Sequence, residues 1–433
     1  MSEEKKKLEE QKDSRWTLER ETELRFEVPE TDDSQGKKSA QLVLLKGQAE
    51  IFGTELVLHK KFNFKPGDKI AVFTWDGCIV EISGAVDGAY VSRETPMLMY
   101  LNLHAALDQM REKAKKNPGL TGPRIMITGP GDVGKSTLCR ILLNYAVRLG
   151  RRPIYCDLDV GQGSISIPGS TGALLIERPA DIEEGFAIHA PLVYNFGHTS
   201  PSANSKLYDV LTSQISDVVK ERFEKNSEAR IGGVVVNTCG WVTGAGYKML
   251  VHAAKAFDVN VIVVLDQERL YNDFKKQFGE DIEVLHLPKS GGVVTRSQQF
   301  RRESRNERIR EYFYGIKNNF YPHTFEVKFS DVKVFKIGAP AVPDSCLPIG
   351  MQKDEIETKL VPMQPGKDLI HCVLGLSMAS DPEEDLVRTN IAGYIVITDV
   401  DMERQQYKIL SPAPRPLPRQ FLLLSDVKFM DMK

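Results

Sequence analysis

Apolar positions along the chain change texture twice. From Glu21 onward, short apolar or alternating runs recur at Leu24–Val28, Gln41–Leu45, Lys69–Phe73 and Ile79–Ile82. Gly47, Gly53, Pro66-Gly67 and Asp76-Gly77 punctuate them, as turns do between antiparallel strands. This predicts a small β-sandwich or barrel. Leu101, Leu103, Ala106, Leu107 and Met110 then fall at helical spacing within Leu98–Lys116, and Lys115–Gly119 reads as a helix end and linker.

From Arg124 the pattern becomes strand, helix, strand. Ile125–Ile127 is a short buried strand, and Leu138, Ile141, Leu142, Ala146 and Leu149 mark one face of a helix ending at Gly150. Pro153–Cys156, Gly233–Val236 and Val259–Leu265 are further apolar strands flanked by helix-like stretches. Such alternation implies a parallel sheet covered on both faces. After Gly315 the helices stop. Phe325–Phe329, Val332–Phe335, Gly393–Val400, Gln406–Leu410 and Phe421–Phe429 alternate as half-buried strands, with Pro412, Pro414, Pro416 and Pro418 stiffening the connection to the last. The expected fold is α/β: a central P-loop domain (113–315), an N-terminal β-sandwich with its connecting helix (17–112) and a mainly-β C-terminal domain (316–433). Residues 1–16 are charged, lack periodicity and predict a disordered tail.

Composition narrows this little. A length of 433 residues suits two or three domains, and 41% hydrophobic with 27% charged residues is ordinary for a soluble globular protein. A formal net charge of -2 means that any nucleic-acid partner must meet a local basic groove. The six cysteines (Cys78, Cys139, Cys156, Cys239, Cys346 and Cys372) lack metal-ligand spacing and read as buried thiols of a reducing compartment. No signal region or membrane-length apolar run occurs, so the expectation is a soluble intracellular protein without a membrane partner.

The chemistry starts at Gly129-Pro130-Gly131-Asp132-Val133-Gly134-Lys135-Ser136, followed by Thr137, which fits G-x-x-x-x-G-K-[ST] at every fixed position. The glycines free the backbone to turn N–H groups toward phosphate oxygens, Lys135 supplies charge for the β- and γ-phosphates, and Ser136 offers a hydroxyl to Mg²⁺. A strand before the loop and an amphipathic helix after it are the context this mechanism needs. Asp157 and Asp159 close the next strand; if they share its face, either could serve Mg²⁺ or an acceptor hydroxyl, and either could instead cap a turn. Asn237 stands where a Walker-B strand usually carries Asp, which shifts weight onto Asp159. Trp241 could stack on a nucleobase or belong to the core. Gly291-Gly292 before an arginine-rich helix resembles a hinged lid, with Arg296 and Arg301 as candidate anion clamps and the later arginines read as a solvated face paired with glutamates.

Taken together with the strings at 19–27, 49–56, 157–163, 237–241, 265–271, 288–294 and 310–315, these residues resemble the polyribonucleotide 5′-hydroxyl kinase family of the pre-mRNA cleavage factor and the tRNA-splicing endonuclease assembly. The resemblance covers nearly the whole chain. It implies transfer of the ATP γ-phosphate to the 5′-hydroxyl of RNA with Mg²⁺ held at Ser136 and Asp159, and Asp159 as the base. It further implies Trp241 as a clasp for a terminal base, Arg296 as a lid arginine, and Thr199, Gln162 and Arg301 as RNA contacts. Glu23 and Lys69 would close the N-terminal domain over the nucleotide. The implied partners are tRNA-splicing endonuclease subunits and a cleavage-factor scaffold protein, and the implied location is the nucleus. Gly131 departs from the Thr of animal relatives and removes a side-chain contact. A nucleotide-locked scaffold is the rival reading. A switch GTPase is disfavoured, since no Asn-Lys-x-Asp motif is found.

Overall fold

The structure, a computed structural model, describes residues 14–30, 39–338, 357–381 and 384–430. Residues 1–13 of the expected tail and Cys346 lie outside them. A strand already runs over Ser14–Leu18, where Trp16 pairs with Val80, so the ordered domain starts inside the segment expected to be tail.

Two antiparallel sheets face each other in the N-terminal domain. One contains Ser14–Leu18, Ala40–Gly47, Lys61–Phe64 and Cys78–Gly84; the other is centred on Thr22–Glu27 between Lys69–Thr74 and Asp87–Ser92. Alternation in Ala40–Gly47 buries Ala40, Leu42 and Leu44 between them, against Phe26, Phe62 and Val80.

The helix Met97–Lys116 leads into the central domain. Its seven-stranded sheet is ordered Leu192–Asn195, Ser170–Leu175, Ile154–Asp157, Val234–Asn237, Arg124–Thr128, Val261–Leu265, Glu283–Leu287. The last five strands are parallel, as the apolar runs imply; the first two are antiparallel. Val234–Asn237 and Val261–Leu265 are buried throughout because helices cover both faces. One face packs Leu207, Leu211, Ile215, Met249 and Leu250 from the helices Ser205–Lys225 and Ala245–Ala256. The opposite core joins the P-loop helix Lys135–Arg148 to Tyr100, Leu103 and Leu107 of the connecting helix and to Val373, Tyr394 and Val427 of the C-terminal domain. A shared core therefore fixes these three regions against one another.

The C-terminal domain is a second seven-stranded sheet, running from the edge strand His323–Lys328 through Gln406–Ser411, Ile391–Asp401, Cys372–Ser377, Phe421–Lys428 and Lys333–Ile337 to Leu360–Pro362. The five described cysteines are buried and unpaired, as expected of thiols. Among the described residues, no helix is long and apolar enough to cross a membrane.

Candidate active site

The phosphate loop bridges Arg124–Thr128 and Lys135–Arg148, at the carboxyl ends of the parallel strands where open sheets bind ligands. Gly129, Asp132 and Gly134 hold φ of 147°, 56° and 91°. At Gly129 a side chain is doubly excluded, since a Cβ there would lie 2.6 Å from the Leu265 carbonyl oxygen. Gly134 caps the helix, whose first-turn N–H groups open toward the cleft. Lys135 Nζ donates to the carbonyls of Gly129 and Pro130 at 2.9 and 2.7 Å. Burial pulls the lysine pKa down, while Asp159 opposes that shift.

Above the loop opens a cleft of about 1140 Å³. Small-ligand pockets run to roughly 300–1,000 Å³, so a nucleotide leaves room for an acceptor. One wall is Gly131–Thr137, Asp159, Gln162, Thr199 and Trp241. The other comes from Arg25, Lys69 and Tyr90 of the N-terminal domain and from Val293, Arg296, Arg301 and Arg305 of the lid.

The two aspartates have different surroundings. The strand ends at Asp157, so the expectation of a common strand face does not hold. Asp157 is buried, and its oxygens accept from Tyr155 Oη (3.0 Å), the Ser164 amide and hydroxyl (2.8 and 2.9 Å), the Asp159 amide (3.1 Å) and Asn237 Nδ2 (3.0 Å). Asn237 Nδ2 also donates to Ser136 Oγ at 3.3 Å. The carboxylate missing from the Walker-B strand is thus supplied one strand away, and Asn237 connects it to the hydroxyl that would hold Mg²⁺.

Asp159 lines the cleft instead. Its Oδ1 accepts the amides of Gly161 and Gln162 at 3.0 and 3.1 Å. Burial and the neighbouring Asp157 raise its pKa to about 6, against the opposing pull of Lys135. That value suits a group that takes a proton near neutrality. Beside it, the buried Nε2 of Gln162 has no hydrogen-bond partner among the described residues. A donor so placed in a cleft is available to a polar ligand.

Trp241 satisfies both readings of a tryptophan. Its ring packs on the core and on Gly246, where a Cβ would lie 2.6 Å from Trp241 Cγ, yet it also lines the cleft. Thr199 is exposed on the same wall.

The lid touches the loop through Asp132, whose Oδ2 accepts from the Arg296 amide at 3.0 Å and from Arg301 Nη2 at 2.6 Å. Arg301 therefore reaches the phosphate loop, whereas the Arg296 guanidinium lies over the Phe300 ring at 5.4 Å. Gly131 sits below Arg301; a Cβ there would meet Nη2 at 3.5 Å, an ordinary contact. Arg305 corrects the reading of the later arginines as a solvated face. It lines the cleft, and burial beside Arg301 and Arg302 lowers its pKa, an environment that an anion would relieve. Its spacing of four from Arg301 was the available signal. Arg308 does pair with Glu311, at 3.3 Å.

Lys69 lines the cleft and binds Glu27 at 2.8 Å. Glu23 does not line it: Glu23 is buried beneath Arg25, with which it pairs, and accepts from Thr95 Oγ1 at 2.8 Å. Arg25 was missed, although the i, i+2 spacing puts it and Glu23 on one face of the strand Thr22–Glu27. Among the described residues no cluster of three or more His, Cys, Asp or Glu side chains could hold a metal by itself. Mg²⁺ needs no such cluster, since it usually takes few protein ligands and completes its shell with phosphate and water; Ser136 Oγ, contacted by Asn237, is the ligand the loop offers.

Comparison with known proteins agrees with this geometry. The P-loop family model for mRNA cleavage and polyadenylation factor CLP1 matches residues 129–315. The model for pre-mRNA cleavage complex II protein Clp1 matches 320–431, and the N-terminal β-sandwich model of a polyadenylation factor matches 17–114. The chain is 65% identical over 419 residues to the protein CLP1 homolog of Nematostella vectensis, covering 96% of this chain and 97% of that one. It is 60% identical over 420 residues to polyribonucleotide 5′-hydroxyl-kinase Clp1 of Homo sapiens, covering 97% of each. A solved complex of wild-type Clp1p with Pcf11p superposes with a TM-score of 0.81 at 22% identity, over 97% of this chain and 99% of that one. By sequence over nearly its full length, the chain belongs to the Clp1 family.

Proposed function

We propose that this chain transfers the γ-phosphate of ATP to the 5′-hydroxyl of RNA. The observation that carries the reading is Asp159: a cleft-facing carboxylate with its pKa raised to about 6, beside a complete phosphate loop and a basic lid. Full-length relatives named polyribonucleotide 5′-hydroxyl kinases support it.

In the reaction, the 5′-oxygen forms a bond to the γ-phosphorus while the bond from that phosphorus to the β,γ-bridging oxygen breaks. Asp159 accepts the 5′-hydroxyl proton and ADP leaves. Lys135 and the helix N-terminus neutralise phosphate charge, and Arg301 and Arg305 add positive charge from the lid. Ser136, held by Asn237, which Asp157 anchors in turn, would bind Mg²⁺, which would supply charge neutralisation at the β- and γ-phosphates. Trp241 offers a face for the terminal base, and Thr199 and Gln162 lie where the RNA backbone would run. Lys69 meets the nucleotide from the N-terminal domain, and Glu23 acts by holding Arg25.

The same reading places the chain in the nucleus, with tRNA-splicing endonuclease subunits and a cleavage-factor scaffold of the Pcf11 kind as partners. Incubation with γ-labelled ATP tests the activity. Label should enter a 5′-hydroxyl RNA oligonucleotide and not its 5′-phosphorylated counterpart. ATP retained through purification without any transfer would favour the scaffold reading instead.

A further inference from the structure

We propose that Arg25, in the N-terminal β-sandwich, is a positioning residue for the lid, seated on Gly291-Gly292 so that the sandwich sets where Arg296 and Arg301 stand over the phosphate loop. The inference rests on the kinase reading of the cleft.

The guanidinium is anchored from below. It pairs with the buried Glu23, donates to the Glu94 carbonyl at 2.8 Å and to Tyr90 Oη at 3.3 Å, and Thr95 fixes Glu23 in turn. A buried arginine held by several partners has little rotamer freedom, and its stem becomes part of a wall.

The lid follows that wall closely. A Cβ on Gly292 would lie 2.9 Å from Arg25 Cδ and 3.0 Å from Nε, and one on Gly291 would lie 3.0 Å from Nη1. Neither glycine has the positive φ that marks many other glycines of the chain. Their backbone conformation therefore does not demand glycine; at Gly292 the approach of the Arg25 stem does, whereas at Gly291 the neighbour is the guanidinium tip. From this seat the lid continues to Val293, whose Cγ2 would be 3.3 Å from a Cβ on Gly134 of the phosphate loop, and then to the Arg296 amide and Arg301, both on Asp132. A route of direct contacts thus runs from a domain that faces the nucleotide, through the glycine pair, to the arginines of the lid. Lys65 to Glu311 at 2.7 Å and Phe300 against Gly67 attach the lid helix to the same domain further out.

The test uses the full-length protein. Gly292→Ala adds one methyl where Arg25 Cδ lies and leaves the N-terminal core intact. It should lower kcat for RNA phosphorylation roughly tenfold, the scale of a misplaced catalytic group, with little change in the KM for RNA. It should also speed release of a fluorescent ATP analogue. Arg25→Ala should do the same, and the double variant Arg25→Ala/Gly292→Ala should be no worse than Arg25→Ala alone, because the obstruction has gone. Arg25→Lys, which keeps the stem and a charge, should recover part of the loss. Should Arg25→Ala prove unstable, the Gly292→Ala measurement stands by itself. Wild-type rates in Gly292→Ala for both transfer and nucleotide release would overturn the proposal, as would additive losses in the double variant. An inactive wild type would remove the kinase reading, while the analogue-release rates would still decide whether Arg25 positions the lid.

Discussion

The two walls of the cleft are built differently. The phosphate-loop wall grows from the ends of parallel strands: Lys135, Asp157 and Asn237 are buried, and each is held by hydrogen bonds to neighbours that are themselves fixed. The facing wall is a lid on a glycine pair and one sheet of the N-terminal sandwich, where Arg296 is exposed and Arg301 is 38% exposed. Strand ends fix reacting groups to the precision that chemistry needs, while a lid can admit and release substrate. Substitutions of the reacting groups Lys135 and Asp159 on the first wall should therefore remove transfer, and substitutions of residues that touch one ligand should tune binding.

The largest effect is expected from Lys135→Ala, which removes the loop's buried cation; transfer to 5′-hydroxyl RNA should fall below detection in an end-labelling assay. Asp159→Asn comes next. It keeps the contacts to Gly161 and Gln162 within reach of its amide oxygen but cannot take a proton, so transfer should drop about 10²–10⁴-fold with ATP binding retained.

The same substitution should stabilise the nucleotide-free protein. The folded-state pKa of Asp159 is raised, from an ordinary 3.8 to about 6. Its contribution is therefore fully present below pH 3.8 and is lost as pH rises through about 6. At pH 7 the buried negative charge is a cost that asparagine removes, so thermal melts should show a higher Tm for Asp159→Asn than for wild type at pH 7, the difference closing toward pH 4. This would mark Asp159 as a group that trades stability for activity.

Asn237→Ala tests the connection between Asp157 and Ser136. Loss of such an outer contact typically weakens metal affinity about 10–100-fold, which a Mg²⁺ titration of the transfer rate would show as a higher requirement. Trp241→Ala should be the mildest for chemistry and selective for RNA. A stacked base is worth about 1–3 kcal/mol, and fluorescence titrations should show that loss for RNA with ATP affinity unchanged. Equal losses for both ligands would return Trp241 to the core alone.

How legible each wall was follows from the same contrast. The phosphate loop is a contiguous string whose spacing carries its mechanism, so Gly129–Thr137 could be read directly. The apolar runs Val234–Val236 and Val261–Leu265 announced buried parallel strands in the same way. The antiparallel pair Ser170–Leu175 and Leu192–Asn195 did not, because Ser170-Thr171-Gly172-Ala173 is buried without alternation or a run of β-branched apolar residues, and Leu192–Asn195 has only Val193 of that kind. The Asp157–Asn237–Ser136 connection depends on the register of two neighbouring strands, Asp157 opposite Asn237, which spacing cannot express. Arg25 and its glycine pair lie more than 260 residues apart in sequence and meet only through domain packing. Arg305 was hidden by its glutamate neighbours, which a helix separates onto other faces.

Proton acceptance by Asp159 from the attacking hydroxyl is the step on which the proposed transfer turns. The pH dependence of kcat/KM for a 5′-hydroxyl RNA oligonucleotide, measured in wild type and Asp159→Asn, tests it most directly. The wild-type rate should climb with unit slope to a bend near 6 and then level, and the Asp159→Asn rate should be low and lack that limb. Wild-type rates in Asp159→Asn with the bend intact would contradict it.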